Sequence, residues 1–234
     1  MTLEWIFFDI GDVLFDEDAP HMLYFHTVFQ AMRRNGIAVE WDAFHRQILE
    51  TARWQPDQAV PEAMRLYVPD AGEHDRIFHE ARTVYEAIRK PRPYGILLDD
   101  ITAVLLDLKK DFHLGIIANQ HPQVLTALDE YGVGPLFDIK LIDEVVGVSK
   151  PDPAIFRMAL DQADCAPGNA LMVGDRPDVD ISPAKTLGMR TVRFRRGILY
   201  TSYDPRTDME RADRIAETIP GLLASIRQVA SSPP

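Results

Sequence analysis

The amino-acid sequence predicts an α/β protein, a doubly wound parallel sheet with an inserted α-helical domain. Two patterns and one length predict it. After residue 110, short apolar runs alternate with segments whose apolar residues recur at helical spacing, as in strands joined by crossover helices with both sheet faces covered. Residues 16–95 carry helix-period apolar positions and no strand pattern. A chain of 234 residues with 46% apolar content suffices for one large core domain with a smaller insertion.

Taken in order, Leu3-Glu4-Trp5-Ile6-Phe7-Phe8 is apolar and aromatic and stops at Asp9-Ile10-Gly11-Asp12, a buried strand running into a polar turn. The insert follows. Met22, Phe25, Val28, Phe29 and Met32, then Phe44 and Ile48, then Ile77, Phe78, Val84, Tyr85 and Ile88 recur at helical spacing, while Pro56, Pro61, Pro69 and Pro91–Pro93 divide the segment into about four helices. The core resumes with a helix over Ile96–Leu108 and strands over Leu114–Ala118, Ile139–Ile142, Ala170–Val173 and Thr191–Phe194. Helices are predicted over Val124–Tyr131, Ala154–Gln162 and Pro183–Leu187, the last stopping at Gly188. The expected division is therefore 1–15 and 96–234 for the α/β core and 16–95 for the insert, with a frayed tail from Ser231.

Composition removes several function classes. Thirty-six acids against 25 bases leave a net charge of −11, which argues against nonspecific nucleic-acid binding or an anionic membrane surface. The single cysteine, Cys165, forms no intrachain disulfide and no thiolate zinc site and reads as a packed thiol in a reducing compartment. With no secretory pattern in the first residues and no run of the roughly 20 apolar residues a membrane span needs, the expected location is cytoplasmic.

In an open parallel sheet, ligands sit beyond the carboxyl ends of the strands. Asp9 follows the first strand, Asn119 the second, Lys150 lies in Gly147-Val148-Ser149-Lys150-Pro151-Asp152-Pro153, and Gly174-Asp175 follows the fourth, with Asp178 and Asp180 close behind. Several carboxylates at one sheet edge repel one another unless a hard cation such as Mg²⁺ sits between them. A carboxylate can attack phosphorus, a lysine can neutralise phosphoryl oxygens, and a metal can stabilise developing charge. The set suits phosphoryl transfer.

These residues, in this order, resemble the haloacid dehalogenase superfamily along the whole chain. Phe7-Phe8-Asp9-Ile10-Gly11-Asp12-Val13-Leu14-Phe15-Asp16 looks like its first motif and Leu114-Gly115-Ile116-Ile117-Ala118-Asn119 its second. Ser149-Lys150-Pro151-Asp152-Pro153-Ala154-Ile155-Phe156 looks like the third, and Val173-Gly174-Asp175 through Asp180 with Ala184-Lys185-Thr186-Leu187-Gly188-Met189 the fourth. The resemblance implies that the insert is a C1-type cap, that Asp9 is nucleophile and Mg²⁺ ligand, and that the Gly11 carbonyl and Asp175 are further ligands. Asp180 would be a supporting carboxylate at the metal. Lys150 would hold the phosphoryl group and restrain Asp9, and Asn119 would face the transferring group or its leaving end. The implied reaction is Mg²⁺-dependent hydrolysis of a small phosphorylated metabolite through an aspartyl-phosphate.

Two positions depart from the family pattern. Many of its phosphatases carry a second aspartate two residues after the nucleophile as general acid and base, where this chain has Gly11; a Ser or Thr hydroxyl of the second motif is replaced by Ala118. Losing a positioned acid costs roughly 10²–10⁴ in rate, so an activated leaving group or another proton source, Asp12 being nearest, comes into view. The same departures motivate two rivals: hydrolytic dehalogenation of a 2-haloacid, and a catalytically weak protein binding a phosphorylated ligand or a partner.

Plainer readings apply elsewhere. Asp178 reads as an acid at a helix N-terminus. His21, His26, His45, His74 and His79 of the insert lack i, i+4 ligand spacing and read as exposed or core-edge residues. Arg193, Arg195 and Arg196 read as solvated charges at a strand edge and loop. Lys150, at a sheet edge, is expected to matter more for binding a phosphate mimic than for folding.

Overall fold

The computed structural model describes residues 2–232. They form two compact units. The first joins Ile96–Arg196 with the chain up to Asp16 and from Pro205 onward; the second joins Glu17–Gly95 with Gly197–Asp204.

The first unit is built on a parallel sheet. β1 (Trp5–Phe8), β4 (His113–Ala118), β5 (Ile139–Ile142), β6 (Ala170–Gly174), β7 (Arg190–Phe194) and β8 (Arg214–Ala216) lie in the order β5-β4-β1-β6-β7-β8. The order reverses at β1, the switch point at which doubly wound sheets bind ligands. All four residues of β1 are buried, as a strand covered on both faces requires. Its register is fixed on both sides, with Phe8 opposite Ile116 of β4 and Val173 of β6. Crossovers are made by α5 (Ile101–Leu108), α6 (Val124–Glu130), α7 (Asp143–Val146), α8 (Pro153–Ala163) and α9 (Ser182–Thr186), with α10 (Ile219–Ser231) closing the described chain. One sheet face packs Trp5, Phe7, Ile117 and Met172 against Ile155, Phe156 and Ala184. Cys165 belongs to this cluster, and burial pushes its thiol up to about 11.

The structure departs from the sequence reading in four places here. The helix expected over Ile96–Leu108 begins only at Ile101, because Asp100 at φ 63° is left-handed and no helix runs through that conformation. Ile96–Leu97 is instead a short strand, β3, antiparallel to β2 (Phe15–Asp16), with Leu98 N donating to the Leu14 carbonyl at 2.8 Å. A single π-helical turn, Pro177–Ile181, precedes α9. The tail is split: Ser231 ends α10, and Pro233 and Pro234 lie outside the described residues.

The second unit holds α1 (Asp18–Arg34), α2 (Trp41–Ala52), α3 (Ala59–Arg65) and α4 (Ala71–Arg89). Phe25, Val28, Met32, Phe44, Ile48 and Ile77 form its core, the positions that the helical spacing picks out. Leu199 joins that core; this is why Gly197–Asp204, read from sequence as part of 96–234, belongs with the helices. Asp16, read as part of the insert, belongs with the first unit, where β2 pairs with β3 in a separate two-stranded sheet. The Trp41 ring lies between His26 at 3.8 Å and His45 at 5.2 Å between centroids. His74 is buried, with Nε2 at 3.0 Å from the Pro61 carbonyl. These histidines have packing partners. No helix among the described residues is long and apolar enough to cross a membrane.

Candidate active site

Register alone brings the first acids together. Because Phe8 pairs with Val173, Asp9 and Gly174-Asp175 leave adjacent strands side by side, and Asp9 N extends the ladder by donating to the Val173 carbonyl at 2.9 Å. The chain then turns within a few residues: the Ile10 carbonyl accepts from Leu14 N and Phe15 N, both at 2.9 Å. Asp12 takes the left-handed position of this turn at φ 52°; Gly11 is not among the described glycines at positive φ.

Lys150 reaches into this edge from the loop before α8. Its Nζ donates to Asp9 Oδ1 at 2.5 Å and to Asp180 Oδ1 at 2.6 Å, and the residue is only 4% exposed. The expectation of a lysine with little part in folding rests on a solvated side chain, and the side chain is buried between two acids. Asp180 is placed by the π turn, with its Oδ2 accepting from Arg176 N at 3.0 Å. Gly174 makes this approach possible: a Cβ there would stand 2.3 Å from the Asp180 Cβ and 2.4 Å from its Cγ. Gly174→Ala is therefore expected to cost about 1–3 kcal/mol by overpacking and to push Asp180 off Lys150. Denaturant unfolding together with kcat/KM checks this; a variant matching wild type in both would show that the turn yields freely.

Asp175 completes the cluster. One ligand atom from each of Asp9, Asp175 and Asp180 lies within 4.8 Å of the others. Asp175 is only 3% exposed. Burial, and then the charges of Asp180, Asp9 and Asp12, hold its carboxyl well above the usual carboxylate range. Burial also pushes Asp9 up to about 6, with Lys150 opposing and Asp180 adding to the rise. Burial alone would lower Lys150, but Asp180 and Asp9 outweigh it and hold the ammonium above its ordinary range. Three acids gathered round one ammonium carry an excess of negative charge that a hard cation such as Mg²⁺ neutralises, and carboxylate oxygens are the donors it takes. The residues present fit that ion.

The remaining sequence candidates divide. Asn119 does not aim its amide at a reacting group: Nδ2 donates to the Lys150 carbonyl and Oδ1 accepts from Lys150 N, both at 2.8 Å. Asp178 is engaged by a guanidinium rather than by free amides, Arg176 Nε donating at 3.2 Å and an Nη at 2.9 Å. Of the three arginines read as solvated, Arg195 pairs with Glu217 and Arg196 with Asp16. Arg193 is 2% exposed, and its Nε donates to the Asp175 carbonyl at 3.1 Å. That support was missed from sequence. Its only signal is an arginine set between Val192 and Phe194 inside an apolar run.

Residues 3–188 match the haloacid dehalogenase-like hydrolase family. The chain belongs to that family and is an enzyme of its hydrolase kind. It is 30% identical to glyceraldehyde 3-phosphate phosphatase of Pyrococcus furiosus, over 93% of this chain and 90% of the relative. It is 29% identical to phosphoserine phosphatase of Thermus thermophilus over 81% of this chain and 76% of that protein. Among solved structures, the magnesium-bound HAD-hydrolase YfnB of Bacillus subtilis superposes with a TM-score of 0.66, 17% identity and coverage of 99% and 100% of the two chains. At that identity the match shows the shared fold.

Proposed function

We propose that this hydrolase is a Mg²⁺-dependent phosphomonoester hydrolase acting on a small phosphorylated metabolite through an aspartyl-phosphate at Asp9. The observation that carries the reading is the Asp9 carboxylate itself, buried at the sheet switch point with one oxygen held by Lys150 and two further acids within ligand distance. The activities that name the relatives, on glyceraldehyde 3-phosphate and phosphoserine, support a short substrate. The helical unit takes the part of the family's cap in this reading, and the one reduced cysteine supports a cytoplasmic location.

Asp9 Oδ1 is engaged by Lys150, which leaves Oδ2 to attack phosphorus. A bond from Oδ2 to phosphorus forms as the bond to the leaving oxygen breaks, and that oxygen departs with the electron pair and takes a proton from solvent. A water molecule then attacks the phosphorus of the aspartyl-phosphate, releasing inorganic phosphate and restoring the carboxylate. Lys150 neutralises phosphoryl oxygens as a point charge throughout. Asp9, Asp175 and the Gly11 carbonyl would hold Mg²⁺, with Asp180 in support, and the ion supplies charge stabilisation at the transferring oxygens.

Gly11 supplies no carboxylic acid to protonate the leaving oxygen. Turnover is therefore expected to require Mg²⁺ and to be much faster on an aryl phosphate, whose leaving group departs unprotonated, than on an alkyl phosphate. Phosphate release from both, with Mg²⁺ and with chelator, tests this. Undiminished release in chelator overturns the reading, and halide release from a 2-haloacid in chelator would put dehalogenation in its place.

A further inference from the structure

Lys150 can serve two acids only while its backbone is fixed, and its place in the chain does not fix it. It lies on the loop between α7 and α8, after Gly147 at φ 77° and the exposed Ser149, and its side chain has four rotatable bonds. The fixing groups come from the neighbouring strand ends. Ala118 of β4 pairs with Ile142 of β5, so Asn119-Gln120 and Asp143 leave the sheet side by side. Asn119 uses both polar ends of its amide on both polar atoms of the Lys150 backbone, at 2.8 Å each. Asp143 spans the same gap one residue further along: Oδ1 accepts from Gln120 N at 2.8 Å and Oδ2 from Ser149 Oγ at 2.9 Å. Two consecutive residues beyond β4 are thereby tied to two consecutive residues of the lysine loop.

We propose that Asp143, together with Asn119, is a positioning residue that sets where Lys150 Nζ stands, by docking the Ser149-Lys150 backbone onto the end of β4. Its functional part rests on the phosphatase reading above; its structural part does not. Asp143 contacts neither the acid cluster nor Lys150 Nζ in any described bond, so its effect is indirect. Asparagine at this position keeps both links, because its carbonyl accepts from Gln120 N while the Ser149 hydroxyl rotates to accept from its NH₂. Alanine keeps neither.

The test compares Asp143→Ala, Asp143→Asn and Asn119→Ala with wild type in two measurements. Amide hydrogen exchange is the first: loss of one hydrogen bond is expected to speed exchange at Gln120 in Asp143→Ala and at Lys150 in Asn119→Ala by about fivefold or more, with strand amides of β1 and β6 unchanged. The second is kcat/KM on an aryl phosphate with Mg²⁺. Misplacement of a charge-bearing group by an ångström costs up to about 10²-fold, so Asp143→Ala is expected to fall at least tenfold and Asp143→Asn to stay within about threefold of wild type. In a Lys150→Ala background the Asp143→Ala change is expected to have almost no further effect, since nothing is left to position. Equal losses in both backgrounds, or an Asn variant as impaired as the Ala variant, would overturn the positioning role. A wild-type protein that releases no phosphate would overturn the phosphatase reading; the docking is then decided by exchange, and unchanged Gln120 and Lys150 amides in the variants would overturn it.

Discussion

Asp9→Asn is expected to lower kcat/KM on an aryl phosphate by about 10³-fold or more, the scale on which loss of a nucleophile acts. The amide oxygen is a poor nucleophile, and the substitution also removes one of three carboxylates that approach within 4.8 Å of one another. Folding should survive, because the amide has the same shape and still offers Lys150 an acceptor. Stability in chelator is expected to hold or rise, since Asp175 and Asp180 lose a like-charged neighbour. Steady-state kinetics with saturating Mg²⁺ and a thermal melt in chelator make the check. Turnover within tenfold of wild type would place the nucleophile elsewhere.

Lys150→Ala is expected to destabilise the metal-free protein by about 3–5 kcal/mol, the cost of leaving buried acids without their counterion. The lysine is only 4% exposed and bonds two carboxylates at 2.5 and 2.6 Å. The pH dependence has a definite sign. The Asp9 carboxyl stands at about 6 in the fold against an ordinary 3.8, and losing Lys150 raises it further. Such an acid binds more protons in the native state than in the unfolded one, so stability falls as pH rises through that window. The variant should lie nearest wild type at about pH 4, and Mg²⁺ should restore part of the difference above that by replacing the lost positive charge. Denaturant midpoints at low and neutral pH, with and without Mg²⁺, test it; a midpoint independent of the substitution at neutral pH would mean that the two acids find other compensation.

The strands and most helices were legible because apolar runs and helical spacing are local properties. Asp9, Asp175, Asp180 and Lys150 could be picked out because each follows an element end or sits in a recognisable run. What sequence could not supply was direction. Asn119 was placed correctly at the edge, yet which way its amide points depends on a loop 31 residues away. Lys150 reads from sequence as a site lysine with little part in folding, and only its two acids, 141 and 30 residues distant, explain how its charge is tolerated inside. Arg193 is misread for the same reason, since its Nε donates to the Asp175 carbonyl, 18 residues away just beyond the end of β6. Leu199 gave no sign of belonging with the helices because its partners lie far upstream.

The position of β1 bears on how the chain is made. Trp5 pairs with His113 on one side and Ala170 on the other, so the central strand leaves the ribosome before both of its partners and has no neighbour until more than a hundred further residues have been synthesised. At roughly 5–20 residues per second, Trp-Ile-Phe-Phe stays unpaired for several seconds during translation. A four-residue apolar ribbon with two open edges is a binding site for a chaperone and a seed for aggregation over that interval. The four helices between Asp18 and Arg89 can pack on one another meanwhile, and Leu199 joins their core only later. The order of synthesis therefore puts the helices first and the acid cluster last, since that cluster cannot assemble until β6 has emerged.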